Sequence, residues 1–146
     1  MALQSEVQQF VYSATVEAGR PPRSAEVAEA LEASREEILA AFAGLRRRRL
    51  LALAPESGEI LMAPPFSAVP TAFLVRARGC SYFGNCVWDA YGIAAALAAD
   101  AEIDTSCACC GEPIALRVED ATPVPERAVA HFAVPAAHWW DDIFYT

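Results

Sequence analysis

Apolar residues recur at helical spacing from the start of the chain. Leu3, Val7, Phe10, Val11 and Ala14 fall on one face, and the pattern stops at Gly19, before RPPR. A first helix is predicted there. Ser24 can cap a second short helix running through Leu31. Ser34 followed three residues later by Glu37 is a capping box that opens a third, REEILAAFAGLRRRRL. Two short apolar runs come next, LLALAP and ILMAP, separated by ESGE, and they predict a hairpin turning at Glu56 to Gly58. Three helices followed by a hairpin is the element order of a winged helix-turn-helix, so residues 1–65 are expected to form a winged-helix-like helical subdomain.

Pro64, Pro65 and Pro70 read as a stiff linker, and the pattern changes beyond them. TAFLVRA predicts a strand, Gly79 to Gly84 a turn, and the alanine-rich stretch from about Asn85 to Ala99 a helix. ALRVED and AVAHFAVP predict further strands. No internal repeat or low-complexity tract interrupts the pattern. The expected fold class is α+β: the helical subdomain plus, over residues 71–146, a small and mostly antiparallel sheet with one central helix.

Composition narrows the functional classes. Of 146 residues 55% are hydrophobic, enough for a buried core. Every basic side chain apart from the histidines is arginine, and 19 carboxylates against 11 arginines leave a net charge of −8. That balance argues against DNA binding, whose affinity comes largely from phosphate neutralisation. Arg46 to Arg49 could face DNA from the third helix, or could simply meet the negative end of that helix's dipole. No apolar run approaches the roughly 20 residues that span a bilayer, and the N-terminus lacks the features of an export signal. A cytoplasmic protein without membrane association is the expectation. Five cysteines, Cys80, Cys86, Cys107, Cys109 and Cys110, are then better read as free thiols than as a disulfide framework.

The candidate chemistry lies in GNCVWDAYG, residues 84–92. With Asn85 or Gly84 as cap, Cys86 would occupy the first turn of the central helix, where N–H groups and the positive dipole end stabilise a thiolate. Asp89, three residues on, projects from the same face. Such a pair can divide labour, sulfur binding a soft electrophile and carboxyl moving a proton. Spacing alone better fits a half-buried cysteine and an aspartate complementing the helix N-terminus. Cys107-x-x-Cys110-Gly111 has the form of one zinc knuckle, but Cys80 and Cys86, separated by five residues, do not match a partner pair. His131 falls in an apolar strand pattern and His138 in a proline-bounded turn; both read as structural or surface groups. Trp139 and Trp140 read as core and lid material, Asp141 and Asp142 as solvated turn residues.

NCVWDAYGIAAAL, followed by IDTSCACCGEPIALRV and then HFAVPAAHWWDDIFYT, resembles the alkylmercury lyase (organomercurial lyase) family, and the helical N-terminal part fits that family's layout. The resemblance implies catalytic roles for Cys86 and Asp89 in protonolysis of a carbon–mercury bond. A thiolate at Cys86 ligates the organomercurial, a second cysteine weakens the bond to carbon, and the carboxyl group delivers a proton, giving hydrocarbon and Hg(II). No cofactor is implied. External low-molecular-weight thiols would serve as cosubstrate, and they or a mercuric reductase would accept the Hg(II). For Asp89 to donate near neutral pH, its pKa must rise, through burial beside Trp88 or a neighbouring thiolate. In the family the cysteine matching Cys107 is structural, and the second catalytic cysteine lies shortly beyond the region resembling HWWDDIFYT. The sequence given stops at Thr146, so the expectation is either a fragment or a shortened homologue, with Cys109 or Cys110 as substitute candidates for the second thiol. The alternatives are a non-catalytic thiol protein that binds or senses mercury, and the same fold carrying another reaction.

Overall fold

A computed structural model of the chain describes residues 2–125 and 129–144. The N-terminal pattern folds as helices α1 (Ala2–Ala18), α2 (Ser24–Ala30) and α3 (Arg35–Arg47). At α3 the capping box forms as the sequence predicts: Ser34 Oγ accepts from the Glu37 N–H at 3.2 Å, and the Glu37 carboxylate accepts from the Ser34 N–H at 2.9 Å. Ser24 does not cap α2. Arg23 holds the cap position, because Ser24 is drawn into a different contact, its hydroxyl and N–H both donating to Glu59. Arg35 completes that cluster with an ion pair to Glu59 at 3.1 Å, which ties α2, α3 and the following hairpin together.

The three helices bury Val7, Val11, Val27, Ile38, Phe42 and Leu45 in one core cluster. Fully burying each such side chain contributes about 1.5–3 kcal/mol. Strands β1 (Ala52–Leu53) and β2 (Ile60–Ala63) form the expected hairpin and close this cluster with Leu51, Leu53 and Ile60.

The proline-rich stretch does not behave as a linker. Phe66–Ser67 forms strand β3, which pairs with β2 on one side and with a later strand on the other. The hairpin is thereby continuous with one eight-stranded antiparallel sheet. Its other strands are β4 (Phe73–Ala77), β5 (Cys80–Gly84), β6 (Ala101–Ser106), β7 (Pro113–Glu119) and β8 (Thr122–Val124), in the order β1-β2-β3-β5-β4-β6-β7-β8. Residues 80–84, expected as a turn, are thus a strand; the reversal is confined to Arg78 and Gly79, both at positive φ. The run 129–135 contains no strand, and Ala128 of the expected strand lies outside the described residues. Near-continuous alanine and valine there satisfy an apolar pattern, but no neighbouring strand pairs with them.

Helix α4 (Val87–Leu97) is the expected central helix, two residues shorter at each end. Ala90, Ile93, Ala94 and Leu97 give it one buried face at i, i+3, i+4, i+7, set against Val75, Tyr82 and Ile103 of the sheet. Gly84 permits the close approach, since a Cβ there would lie 2.8 Å from the Ala90 backbone nitrogen. The two clusters meet at α1. Tyr82 donates its hydroxyl to the Val16 carbonyl at 2.8 Å, and Tyr12 packs against both. A short 3-10 helix (Ala136–Asp141) follows. Among the described residues no helix is long and apolar enough to cross a membrane.

Candidate functional site

The end of β5 and the start of α4 place Cys86 one residue outside the helix. It is the N-cap residue, with φ −149° and ψ −176°, and its carbonyl accepts from the Ala90 N–H at 2.9 Å. The expectation of Asn85 or Gly84 as cap and Cys86 in the first turn is corrected by one position. Asn85 is unavailable as a cap because its side-chain amide donates to Asp89 Oδ2 at 2.8 Å and reaches toward the Pro65 carbonyl at 3.5 Å.

This position changes the electrostatics expected of Cys86. Burial pushes the thiol above its ordinary pKa, and the nearby Asp89 charge adds to that. The N–H groups of Asp89 and Trp88 are directed toward the sulfur and pull the other way, without forming a side-chain cap hydrogen bond. The upward push prevails. In the empty site the helix N-terminus therefore does not by itself deliver a thiolate.

Asp89 moves as the proposed acid requires. Burial raises its pKa, against the lowering effect of the Asn85 side chain and N–H. Trp88, itself 65% exposed, lines the same cavity as Asp89. Asn85 bonds the carboxyl directly, and Tyr12 of α1 is near enough to feel its charge: the Tyr12 hydroxyl, which donates to the Pro64 carbonyl at 3.1 Å, is pushed up by burial and by Asp89.

Cys86, Asp89 and Asn85 line one cavity of about 270 Å³. The remainder of its wall is apolar, made by Met62, Pro64, Trp88, Phe132, Trp139, Trp140 and Ile143. An apolar pocket with few convergent polar groups is the general form of a small-ligand site. The aromatic side of the wall is built by contact between rings: Trp139 lies 6.4 Å from Trp88 and 5.1 Å from Phe132, centroid to centroid. Trp139 is fixed by an Nε1–H bond to the Val134 carbonyl at 2.8 Å. The 3-10 helix is thus a cover over the Cys86–Asp89 pair, and the two tryptophans form its underside.

The other candidates fall elsewhere. Cys80 sits at the opposite end of β5, about 20 Å along the chain direction from Cys86 at the usual strand rise. Cys107, Cys109 and Cys110 occupy the turn between β6 and β7, the latter two exposed. Among the described residues no group of three or more His, Cys, Asp or Glu side chains is placed to hold a metal ion, so the four-cysteine zinc arrangement is not assembled. His131 is exposed and outside any strand. His138 lies in the 3-10 helix, not in a turn, with Nδ1 2.9 Å from Asp141 Oδ2. Arg46, Arg47 and Arg49 line a groove together with Asp141 and Asp142, whose charges oppose an approaching phosphate backbone.

Sequence reasoning treated Asn85 only as a cap. Its i, i+4 spacing to Asp89 was the available signal for the hydrogen bond. Nothing in the local sequence marks Met62, Pro64 or Phe132, which reach the cavity through tertiary packing alone.

The family model for alkylmercury lyase matches residues 66–146. A solved structure described as the mercury-bound form of MerB2 is similar in fold, with a TM-score of 0.61 and 21% sequence identity. The match covers 83% of this chain and 61% of that one. None of the curated proteins matches the chain significantly.

Proposed function

The chain belongs to the alkylmercury lyase family, and from that premise we propose that it cleaves a carbon–mercury bond by protonolysis at Cys86 and Asp89. The observation that carries this reading is the shared cavity: one thiol and one carboxyl, the latter raised by burial, line a small apolar pocket.

The substrate enters as an organomercurial bound to a solution thiol. The Cys86 thiol exchanges with that ligand: an S–Hg bond forms at Cys86, the bond to the external sulfur breaks, and the Cys86 proton leaves on the released thiol. Soft Hg(II) favours sulfur strongly enough to displace the proton of a thiol whose pKa is raised. A second sulfur donor then adds to mercury and shifts electron density toward carbon. Among the described residues no thiol besides Cys86 lines the cavity; a low-molecular-weight thiol can serve as this donor in solution. Protonated Asp89 transfers its proton to carbon as the Hg–C electron pair leaves mercury. Hydrocarbon departs, Asp89 becomes a carboxylate, and Hg(II) remains on sulfur until further thiol or a mercuric reductase removes it. Asn85 accommodates the change at Asp89, since its N–H donor favours the carboxylate formed in this step.

The test is incubation of the wild type and Cys86→Ser with methylmercury and excess monothiol, with methane measured in the headspace. Methane from the wild type alone is expected. Equal turnover by both proteins refutes the role of Cys86, and tight mercury binding without methane selects a non-catalytic thiol protein instead.

A further inference from the structure

Three thiols stand outside the cavity in the β6–β7 turn, within the stretch CACCGE. The turn is held by two backbone hydrogen bonds, Cys107 N–H to the Glu112 carbonyl and Gly111 N–H to the Cys107 carbonyl, each 2.8 Å. Gly111 takes the left-handed conformation that closes the loop, at φ +74°. Inside it the N–H groups of Cys110 and Cys109 are directed at the Cys107 sulfur, and the Cys110 side chain approaches the same atom. These donors bring Cys107 below the ordinary thiol range, against burial and the Glu112 charge.

We propose that the Cys107–Cys110 turn binds one soft, two-coordinate cation of the Hg(II) type between the sulfurs of Cys107 and Cys110. The donor set selects the ion. Zinc takes four ligands in a structural site, and the described residues bring no third ligand to the turn. A thiophilic cation satisfied by two sulfurs matches what is present. Binding needs no redox step: two S–Hg bonds form in the turn, two to solution thiolates break, and the protein's thiol protons leave on the released thiols.

The sheet gives the site a location. Gly84 pairs with Phe73 and Leu74 with Asp104, so β5 and β6 run parallel on either side of β4. Both strands end on the same side of the sheet, about 10 Å apart at two strand spacings, with Cys86 two residues beyond the end of β5 and Cys107 directly after β6. Cys80, at the other end of β5, is on the opposite side of the sheet. The binding itself does not rest on the proposed lyase reaction, since Hg(II) from any source fills the site.

The full chain carrying Cys86→Ser, which removes the cavity thiol, is titrated with Hg(II) in excess monothiol and then desalted. Retention of a single equivalent is expected, with two sulfur neighbours by X-ray absorption and no retention of Zn(II). Adding Cys107→Ser or Cys110→Ser should lower retention by about tenfold or more, because the second bond loses its high effective concentration; adding Cys109→Ser should not. Circular dichroism confirms that each variant keeps its fold before its result is scored. Undiminished retention in the folded Cys107→Ser/Cys110→Ser protein, or a coordination shell containing a single protein sulfur, would overturn the proposal.

Discussion

Replacing Asn85 with alanine separates two quantities that usually move together. Asn85 Nδ2 donates to Asp89 Oδ2 at 2.8 Å, and with that carboxyl protonated the bond contributes about 0.5–1.5 kcal/mol, against about 1.5–3 kcal/mol for the carboxylate. The same side chain holds Oδ1 buried without a partner, which costs about 1–3 kcal/mol. Loss and relief are of similar size, so stability with Asp89 protonated should change by less than about 1 kcal/mol. The Asp89 carboxylate has no such compensation. Burial already raises its pKa and the Asn85 groups oppose that rise, so the variant's Asp89 should titrate at higher pH than the wild type's. Because the proposed mechanism draws on the protonated acid, the alkaline limb of hydrocarbon release should move upward with it. Carboxyl carbon NMR, assigned with Asp89→Asn, reads the titration without needing activity, and urea midpoints read the stability. An unmoved or lowered Asp89 titration in a folded Asn85→Ala protein would refute this account of the site.

Asp89→Asn should abolish hydrocarbon release and stabilise the fold at neutral pH. The wild-type carboxyl binds its proton more tightly folded than unfolded, so its cost appears as pH rises from about 3.9 through the folded pKa; melting temperatures of the two proteins should diverge at pH 7 and converge in acid. Glu59 has the opposite sign. Burial alone would raise its pKa, but the Ser24 hydroxyl and N–H together with Arg35 outweigh it and the pKa is lowered. Its contribution is present above the unfolded value of about 4.3 and lost as pH falls through the folded one. Glu59→Gln should therefore cost about 1–2 kcal/mol in urea unfolding at pH 7, shrinking in acid. Gly84→Ala places a methyl group 2.8 Å from the Ala90 nitrogen; the backbone must shift, costing about 1–3 kcal/mol and disturbing the start of α4. Denaturant midpoints and activity should fall together in that variant.

The helices were legible because their signals are local. Leu3, Val7 and Val11 at helical spacing, and Ser34 with Glu37, each lie within a few residues of the structure they specify. The sheet was less legible because pairing is a long-range property. Phe66–Ser67 lies between prolines that mark a linker, yet β5 recruits it through Gly84 and Phe83. AVAHFAVP has the apolar content of a strand without a partner edge. At the site, Cys86 and Asp89 could be named from sequence, and their shared cavity agrees with that pairing. The direction of the Cys86 shift could not, because the helix N-terminus is visible in sequence whereas the burial that outweighs it comes from distant elements.

That reversal bears on how the pair could work. A thiolate at Cys86 beside a carboxylate at Asp89 would place two negative charges in one apolar cavity, and each raises the cost of the other. Burial resolves the conflict by favouring the neutral form of both groups before substrate arrives. On the proposed mechanism mercury would then displace the thiol proton and neutralise the sulfur in the same event, leaving Asp89 its proton for the carbon. The site need not hold a free thiolate at rest. The same apolar walls that oppose ionisation of both groups would, on the proposed mechanism, favour the donating form of the acid.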